Sequence, residues 1–288
     1  MKHLIVILIS ILFFSCKPKK NEIPKKEVQE TVINPIKLRV FSGGKIVVNN
    51  LELFSQDTTY HGQSKIFADP FYVIQHPKGN LIWDAGLPEN LVGLPNPFTD
   101  PSGAFTVSRK DSLKNQLRSI GLKVKDFKYI ALSHNHFDHI GHANYFKNAT
   151  WLVQENEYDF FHSDIVKKEH PELYNGIKDL TNPKKLNGDF DVFGDGTVVI
   201  KYAPGHTIGH QTLFLNIGLE KPIILIGDLY HFEENRLHKR VPIFNHDATT
   251  TKKSMEIIEA FAKEKGAEII IQHSPKDFEK LQKMLVKK

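Results

Sequence analysis

The sequence predicts an α/β fold in which short buried strands alternate with helices. Apolar runs of a few residues recur along the chain, segments with helical spacing and glycine stops separate them, and polar residues directly follow several runs. About 250 residues follow a polar N-terminal stretch, which is enough for one large core. Two face-to-face sheets with helices outside and a doubly wound sheet both satisfy this alternation, so periodicity alone leaves the two architectures open.

The predicted strands are short apolar runs that are bounded mostly by polar residues, glycine or proline. In chain order they are Phe71 to Gln75, Leu81 to Trp83, Tyr129 to Leu132, Trp151 to Gln154, Val198 to Tyr202, Gln211 to Asn216, Ile223 to Ile226 and Ile269 to Ile271. The clearest helices are Asp111 to Ile120, Thr250 to Lys265 and Lys276 to Val286. Gly121 and Gly266 are the expected stops of the first two helices.

The most informative motif is Ser133 to His139, with the sequence SHNHFDH, which directly follows a predicted strand. It concentrates three imidazoles and one carboxylate in a single loop. Alternate residues of an extended loop project the same way, so His134 and His136 can hold one ion while Asp138 and His139 turn toward a second. The simpler alternative is a solvated polar loop that caps the following helix.

Three further candidate ligands also follow predicted strands, as a metal site built from separate segments requires. His206 lies in the turn Ala203 to Thr207, where Pro and Gly force the chain to bend. Asp228 and His273 each end an apolar run. All these side chains should therefore lie on one rim of a sheet. Imidazoles and carboxylates without a thiolate suit Zn(II) and also tolerate Fe, Mn or Co.

From about Phe71 onward, the chain resembles the metallo-β-lactamase superfamily and, within it, the N-acyl homoserine lactonases. The segments that carry the resemblance are Leu81 to Gly86, His134 to His139, Pro204 to Thr207, Gly209 to Gln211, Gly227-Asp228 and His273. The resemblance implies a four-layer αββα sandwich and two divalent metal ions, with zinc expected. The implied ligands are His134, His136 and His206 on the first ion, Asp138, His139 and His273 on the second, and Asp228 between them.

The resemblance also implies a dinuclear hydrolase that opens the lactone ring of N-acyl homoserine lactones or cleaves a related carboxylic ester. A hydroxide shared by the two ions would be the nucleophile, because metal binding can lower the pKa of water from about 15.7 to about 7. Asp138 is counted among the catalytic groups. The alternatives are a phosphotriester, thioester or β-lactam hydrolase, or a non-catalytic zinc-binding lipoprotein. β-Lactamases of this superfamily generally lack a bridging aspartate at the position of Asp228.

The candidate donor to the substrate carbonyl departs from the lactonase pattern. In the lactonases a tyrosine is expected three residues after the bridging aspartate, whereas here Tyr230 comes at two and His231 at three. Either side chain could be the oxyanion donor, or the metals alone could polarise the carbonyl.

Other polar residues are assigned supporting roles. Asp84 resembles the family aspartate that orients a ligand histidine, and the alternative is a turn residue. His210 is interpreted as a buried or ligand-supporting histidine, because it follows a turn and precedes a predicted strand, and the alternative is a metal ligand. His142 is interpreted as a helix-face histidine beside the site. The segments Asn90 to Val107 and Glu155 to Asn182 are predicted to be loops that determine pocket selectivity.

The N-terminal residues resemble an export signal. In residues 1–15, a lysine precedes the apolar run Leu4 to Phe14, which is too short to remain as a membrane-spanning helix. Ser15 before Cys16, the only cysteine of the chain, resembles a bacterial lipoprotein signal in which Cys16 becomes lipidated. The alternative is an ordinary cleaved signal. Residues 16–37 are predicted to form a flexible Lys/Glu/Pro tether, and residues 38–288 a metallo-hydrolase domain.

Charge and composition limit the expected partners. The formal net charge is +5, and much of the excess lies in the lysines of the tether, which favours an anionic membrane surface over nucleic acid. No interleaving of basic and aromatic residues indicates RNA or DNA binding. The expected partners are a small-molecule substrate and a bacterial membrane, reached through Cys16 on the periplasmic or cell-surface side.

Overall fold

The structure is a computed structural model that describes residues 36–286. Its strands are β1 (Lys37–Val48), β2 (Lys65–His76), β3 (Gly79–Trp83), β4 (Phe98–Thr99), β5 (Phe105–Ser108), β6 (Phe127–Ala131), β7 (Thr150–Gln154), β8 (Pro183–Leu186), β9 (Phe190–Asp191), β10 (Val198–Tyr202), β11 (Gln211–Leu215), β12 (Ile223–Leu225) and β13 (Glu268–Ile270). Its α-helices are α1 (Leu113–Ser119), α2 (Phe137–Ile140), α3 (Glu155–Phe161), α4 (Asp164–Glu169), α5 (Pro171–Ile177), α6 (Glu233–His238), α7 (Ala248–Lys265) and α8 (Pro275–Val286). The predicted signal, Cys16 and nearly all of the tether lie outside the described residues.

The strands form two sheets. The larger has eight strands in the order β4-β5-β1-β2-β3-β6-β7-β8, and the smaller has five in the order β13-β12-β11-β10-β9. Strands β3, β6, β7 and β8 run parallel to one another, as do β12 and β13. Strand β11 is antiparallel to both β10 and β12. Parallel strands end at the same edge, so the segments that follow β3 and β6, and those that follow β12 and β13, are brought together.

Apolar side chains fill three interfaces: one between the two sheets and one between each sheet and the helices on its outer face. Between the sheets, Trp83 of the larger sheet and Leu225 of the smaller are fully buried in one cluster. Leu117 of α1 packs in the layer on the outer face of the larger sheet, and Ile258 of α7 packs in the layer on the outer face of the smaller. Burial of each such side chain contributes about 1.5–3 kcal/mol. The predicted αββα sandwich is therefore confirmed, and the doubly wound alternative is excluded.

The predicted strands and helices are all present, with shifts of one or two residues at most ends and a longer β2. Strands β1, β4, β5, β8 and β9 were not predicted. In β1, Gly43 and Gly44 interrupt the pattern, and a bulge lies there, between Ser42 and Gly44. The segment Glu155 to Asn182 was predicted to be a loop and instead contains α3, α4 and α5. These helices are too short to show a sustained helical period.

Candidate metal centre

All seven predicted ligands lie just beyond strand ends on one rim of the sandwich. His134 and His136 follow β6, and α2, which comes next, carries Asp138 and His139. His206 follows β10, Asp228 follows β12 and His273 follows β13. Apart from the partly buried His136, these residues are buried. Each strand is held in a sheet, so the ligands approach one another from fixed directions.

Three histidines converge with Asp228 in a first group. The Nδ1 atom of His136 lies 2.9 Å from Nε2 of His134 and 3.1 Å from Nε2 of His206. Oδ2 of Asp228 lies 3.6 Å from Nε2 of His134 and 3.4 Å from Nε2 of His206. The ligand atoms of this group all lie within 4.8 Å of one another, so a single ion can contact all four.

Asp138, His139 and His273 form a second group. Nε2 of His139 lies 3.8 Å from Oδ1 of Asp138, and Nε2 of His273 lies 3.7 Å from Oδ2 of the same carboxylate. Both nitrogens also approach Oδ1 of Asp228, at 3.3 Å and 3.0 Å respectively. Asp228 therefore presents one oxygen to each group, which is the geometry of a bridging ligand.

The donor atoms fit divalent cations. Within the described part of the chain, Nε2 of His139 and Oδ1 of Asp228 are buried without a hydrogen-bond partner. Buried polar atoms are rarely left in this condition, and an ion between the two would satisfy both. Imidazole and carboxylate donors suit zinc and also iron, manganese and cobalt.

Protonation differs between the two groups. Burial lowers the pKa of His273, but the carboxylates of Asp228 and Asp138 outweigh burial and raise this pKa to about 9. The pKa of His139 is also well above its ordinary value, because neighbouring carboxylates again outweigh burial. By contrast, burial and adjacent imidazoles hold the pKa values of His134 and His136 well below the ordinary range. An ion must therefore displace protons from the second group but not from these two histidines.

Asp84 supports both groups from behind. One of its carboxylate oxygens accepts the backbone N–H of Ser133 at 2.6 Å, and the other lies 3.1 Å from Nδ1 of His139. The hydroxyl of Ser133 lies 3.1 Å from Nδ1 of His134 and 3.0 Å from Nδ1 of His139. These contacts occupy the far nitrogen of each ring and direct Nε2 toward the centre. The position of Asp84 fits the ligand-orienting role.

His210 supports the backbone of Asp228. Its Nδ1 atom donates to the carbonyl of Ala203 at 3.0 Å, and Nε2 accepts the backbone N–H of Asp228 at 3.0 Å. Gly227 makes this contact feasible, because it has φ +52° and an added Cβ would lie 2.7 Å from Nε2 of His210. His142 does not lie on a helix face: it is buried just before the 3₁₀-helix Ala143–Phe146.

Tyr230 lies outside the site, which corrects one of the two candidate donors. Its hydroxyl donates to Glu259 of α7 at 3.1 Å, and its ring packs between the smaller sheet and that helix. His231 faces the ligands, with Nε2 at 3.1 Å from Oδ2 of Asp228. The backbone explains this difference: Tyr230 has extended backbone angles, φ −137° and ψ 137°, so its side chain and the next point to opposite sides.

A cavity of about 310 Å³ opens beside the ligands. Its polar lining is His136, Asp138, Asp228, His231 and His273, and its apolar lining is Ile46, Phe54, Phe67, Phe105, Phe137 and Phe244. A second cavity of about 430 Å³ shares Phe105 and Phe137 with the first and takes much of its apolar wall from the segment Asn90 to Val107. This segment therefore contributes to the pocket wall as predicted, although it contains β4 and most of β5 and is not a single loop. The other predicted segment, Glu155 to Asn182, lines neither of these two cavities.

The sequence reasoning missed two buried carboxylates near the ligands. Asp69 accepts the backbone N–H of Leu87 at 2.9 Å, and burial, together with the charge of Asp138, raises its pKa to about 7. Glu157 contacts two of the ligand-bearing loops. A signal for Glu157 was available, because it lies three residues beyond the predicted strand Trp151 to Gln154, close to the kind of strand-end position that marked the ligands.

A bridged pair of metal groups that opens onto a substrate-sized cavity serves catalysis, because a purely structural site closes its ligand set. On this fold, the combination defines a dinuclear metal-dependent hydrolase. The sequence itself agrees, since residues 70–273 match the sequence model of the Metallo-beta-lactamase superfamily. The chain belongs to that superfamily.

Several characterised proteins are similar to this chain. The N-acyl homoserine lactonase AttM of Azorhizobium caulinodans is 30% identical over 227 residues, which cover 72% of this chain and 81% of the relative. The N-acyl homoserine lactonase AiiA of Bacillus thuringiensis subsp. kurstaki is 30% identical over 207 residues, which cover 70% and 79%. A solved N-acyl homoserine lactone hydrolase with N-hexanoyl-L-homoserine at its catalytic metal centre superposes with a TM-score of 0.70 at 25% identity, covering 85% of this chain and 96% of that one.

Proposed function

We propose that this chain opens the lactone ring of N-acyl homoserine lactones, using two divalent metal ions. The observation that carries the proposal is the juxtaposition of the bridged ligand groups with a phenylalanine-lined cavity. Such a site suits a substrate with a reactive ester at one end and an apolar chain at the other. The named activity of AttM and AiiA, and the product in the related solved structure, support the same substrate class.

When bound, the two ions supply Lewis-acid polarisation of a carbonyl and a water whose pKa is lowered toward neutrality. The protein holds the metal ligands in position. Asp228 fixes the separation of the two groups, and Asp84 fixes the direction of the rings of His134 and His139. His231 lies beside the bridging carboxylate at the edge of the cavity. Burial lowers the pKa of His231 to about 4, so its ring is neutral at neutral pH and carries one N–H that can donate to an oxyanion.

The apolar wall distinguishes the lactone from the alternative substrates. Each methylene group of an acyl chain that is buried there contributes about 0.8 kcal/mol. The second cavity, reached past Phe105 and Phe137, extends the apolar surface for longer chains. Among the described residues, no lysine or arginine lines the first cavity, so a substrate that carries a carboxylate, such as a β-lactam antibiotic, has neither of these side chains to pair with there.

A substrate panel tests the proposal. The zinc-loaded protein would be assayed with homoserine lactones of increasing acyl length, aryl esters, β-lactams and phosphotriesters. We expect kcat/KM to be highest for the lactones and to rise with acyl length until the two cavities are filled. Clear activity on a phosphotriester or β-lactam without lactone hydrolysis would contradict the substrate while leaving the dinuclear hydrolase unchanged.

We also propose that the protein is exported and anchored to a bacterial membrane through lipidated Cys16. The support is the Ser15-Cys16 pair after an apolar run, together with the lysine-rich tether. Among the helices of residues 36–286, none combines the length and the hydropathy needed to cross a membrane. In cell fractionation, native protein should sediment with membranes, whereas Cys16→Ser should acquire no lipid. Wild-type protein found wholly in the soluble fraction would contradict the anchor.

A further inference from the structure

Glu157 is a buried carboxylate in the first turn of α3. Only 2% of its surface is exposed, which is unusual because a glutamate loses its hydration on burial and is rarely buried without partners. It is not one of the groups that can hold an ion. Its burial therefore calls for another explanation.

The carboxylate of Glu157 bonds to both loops that carry the histidines of the first metal group. Its Oε1 atom accepts the backbone N–H of Asn135 at 3.1 Å and the hydroxyl of Thr207 at 3.0 Å. Its Oε2 atom accepts the backbone N–H of Gly209 at 2.8 Å. Asn135 stands between His134 and His136, and Thr207 follows His206. One side chain thus connects the segments that supply all three imidazoles.

The loop that contains Thr207 and Gly209 packs directly against the start of α3. An added Cβ at Gly209 would lie only 2.5 Å from Cβ of Glu157, so glycine is required for this approach. Asn156, the neighbour of Glu157, donates from its side-chain amide to the carbonyl of Ile208 at 2.7 Å. The helix start and the loop therefore form one rigid contact.

The second metal group is supported elsewhere. His273 directs its Nδ1 atom to the carbonyl of Ala68 at 2.8 Å, and His139 is oriented by Asp84. None of the described hydrogen bonds of Glu157 goes to Ala68, to Asp84 or to these two histidines, although Asn135 lies in the loop that also leads to His139. A change at Glu157 should therefore act on the first ion.

We propose that Glu157 is a positioning residue that sets the spacing of His134, His136 and His206 and thereby the affinity of the first metal ion. A carboxylate is needed because its two oxygens accept three hydrogen bonds and donate none. The isosteric Glu157→Gln variant must turn an NH₂ group toward at least one of the three donors. This inference rests on the dinuclear centre of the proposed enzyme and does not depend on which ester or lactone is the substrate.

The test measures zinc binding directly. Apo protein would be titrated with zinc against a chromophoric chelator, and anomalous scattering from crystals at limiting zinc would assign each ion to its group. We expect Glu157→Gln to bind the first ion about ten- to a hundredfold more weakly and the second with wild-type affinity. In the metal-free protein, the backbone amides of Asn135 and Gly209 should exchange hydrogen faster in this variant.

Asp159→Asn is the matched control, because Asp159 lies on the same helix and pairs with Lys185 at the surface. It should bind both ions like the wild type. If Glu157→Gln does not fold, Thr207→Val removes one of the three donors and should weaken the same ion by a smaller factor. Unchanged affinity and exchange in a folded Glu157→Gln variant, or equal weakening of both ions, would overturn the proposal. Because zinc binding is measured, failure to hydrolyse lactones would not affect this result.

Discussion

Nε2 of His231 lies 3.1 Å from Oδ2 of Asp228, the carboxylate that bridges the two metal groups. His231 is the third residue after that aspartate, which is where the lactonase pattern has its expected tyrosine. Its ring also makes an edge contact with Phe54, at 4.8 Å between ring centres, and both residues line the cavity. The side chain at this position therefore joins the metal centre to the apolar pocket.

This relationship predicts different outcomes for two adjacent substitutions. His231→Ala should lower kcat for lactone opening by about ten- to a thousandfold at unchanged zinc content, as expected for the loss of one oxyanion donor. Tyr230→Phe should leave kcat almost unchanged and lower the free energy of unfolding by about 1 kcal/mol, because it loses the hydrogen bond to Glu259. Steady-state kinetics, metal analysis and urea unfolding measure these effects. A rate loss confined to Tyr230→Phe would reverse the assignment.

The bridging position of Asp228 predicts a loss that affects both ions. Asp228→Ala removes the oxygen contacts to both groups and should reduce zinc content below two per chain and turnover by at least about a hundredfold. His134→Ala and His273→Ala should each weaken a different ion, so each variant should retain about one zinc per chain. Elemental analysis and initial rates test this. Full activity of Asp228→Ala with two ions still bound would contradict the dinuclear mechanism.

Much of the site could be predicted from the sequence because its ligands lie just beyond the ends of strands. The ligands on α2 and after β10, β12 and β13 each come shortly after an apolar run, and both the run and the polar residue are local signals. The fold needed more than periodicity, because alternation of strands and helices fits two architectures. Strand β1 was not predicted because the pair Gly43-Gly44 breaks its pattern. Glycine is needed at position 43 because an added Cβ would lie 2.7 Å from Cα of Gly86. These two residues are far apart in sequence, so the contact cannot be recognised from the residues around Gly43.

The choice between Tyr230 and His231 could not be made from the sequence for a related reason. It depends on the extended backbone at Tyr230 and on the packing of that ring against α7, which are tertiary features. The role of Glu157 also depends on two loops that are distant in sequence and meet at one carboxylate. The residues that would hold the metals can be recognised in the sequence by their chemical type. The residues that position those ligands can be recognised only from their contacts in the folded structure.

Asp84 provides a prediction about support behind the ligands. Asp84→Asn keeps the size of the side chain and tolerates the left-handed backbone, φ +59°, but loses the charge that faces Ser133 and His139. Zinc affinity should fall about ten- to a hundredfold, as is typical for loss of a group that orients a metal-binding histidine. Chelator competition measures the change. The surface variant Asp126→Asn is the control, and equal affinity in both variants would assign Asp84 to the turn alone.

Proton release should distinguish the two metal groups. The pKa of His273 is raised to about 9, so this ring carries a proton at pH 7.5 before an ion binds, and the neighbouring carboxylates shift the pKa of His139 in the same direction. Protons compete with the metal, so affinity at the second group should fall as pH decreases below about 9. Calorimetry of His134→Ala in two buffers with different ionisation enthalpies should show about one to two protons released. His273→Ala, which keeps the first group, should release fewer, and equal release would contradict this prediction.

His142 should make the protein sensitive to acid independently of its metals. It is 2% exposed, and burial lowers its pKa from 6.5 to about 3. Between these values the unfolded chain binds the proton more readily, so stability is present above pH 6.5 and is lost as the pH falls. When the pH falls from 7.5 to 5, the contribution of this residue should lower the free energy of unfolding by about 2 kcal/mol.

Urea unfolding of His142→Leu and of the wild type, with chelator present, tests this prediction. Between pH 7.5 and pH 5, the free energy of unfolding should fall by about 2 kcal/mol less in the variant than in the wild type. An identical slope in the two proteins would show that burial does not lower the pKa of His142.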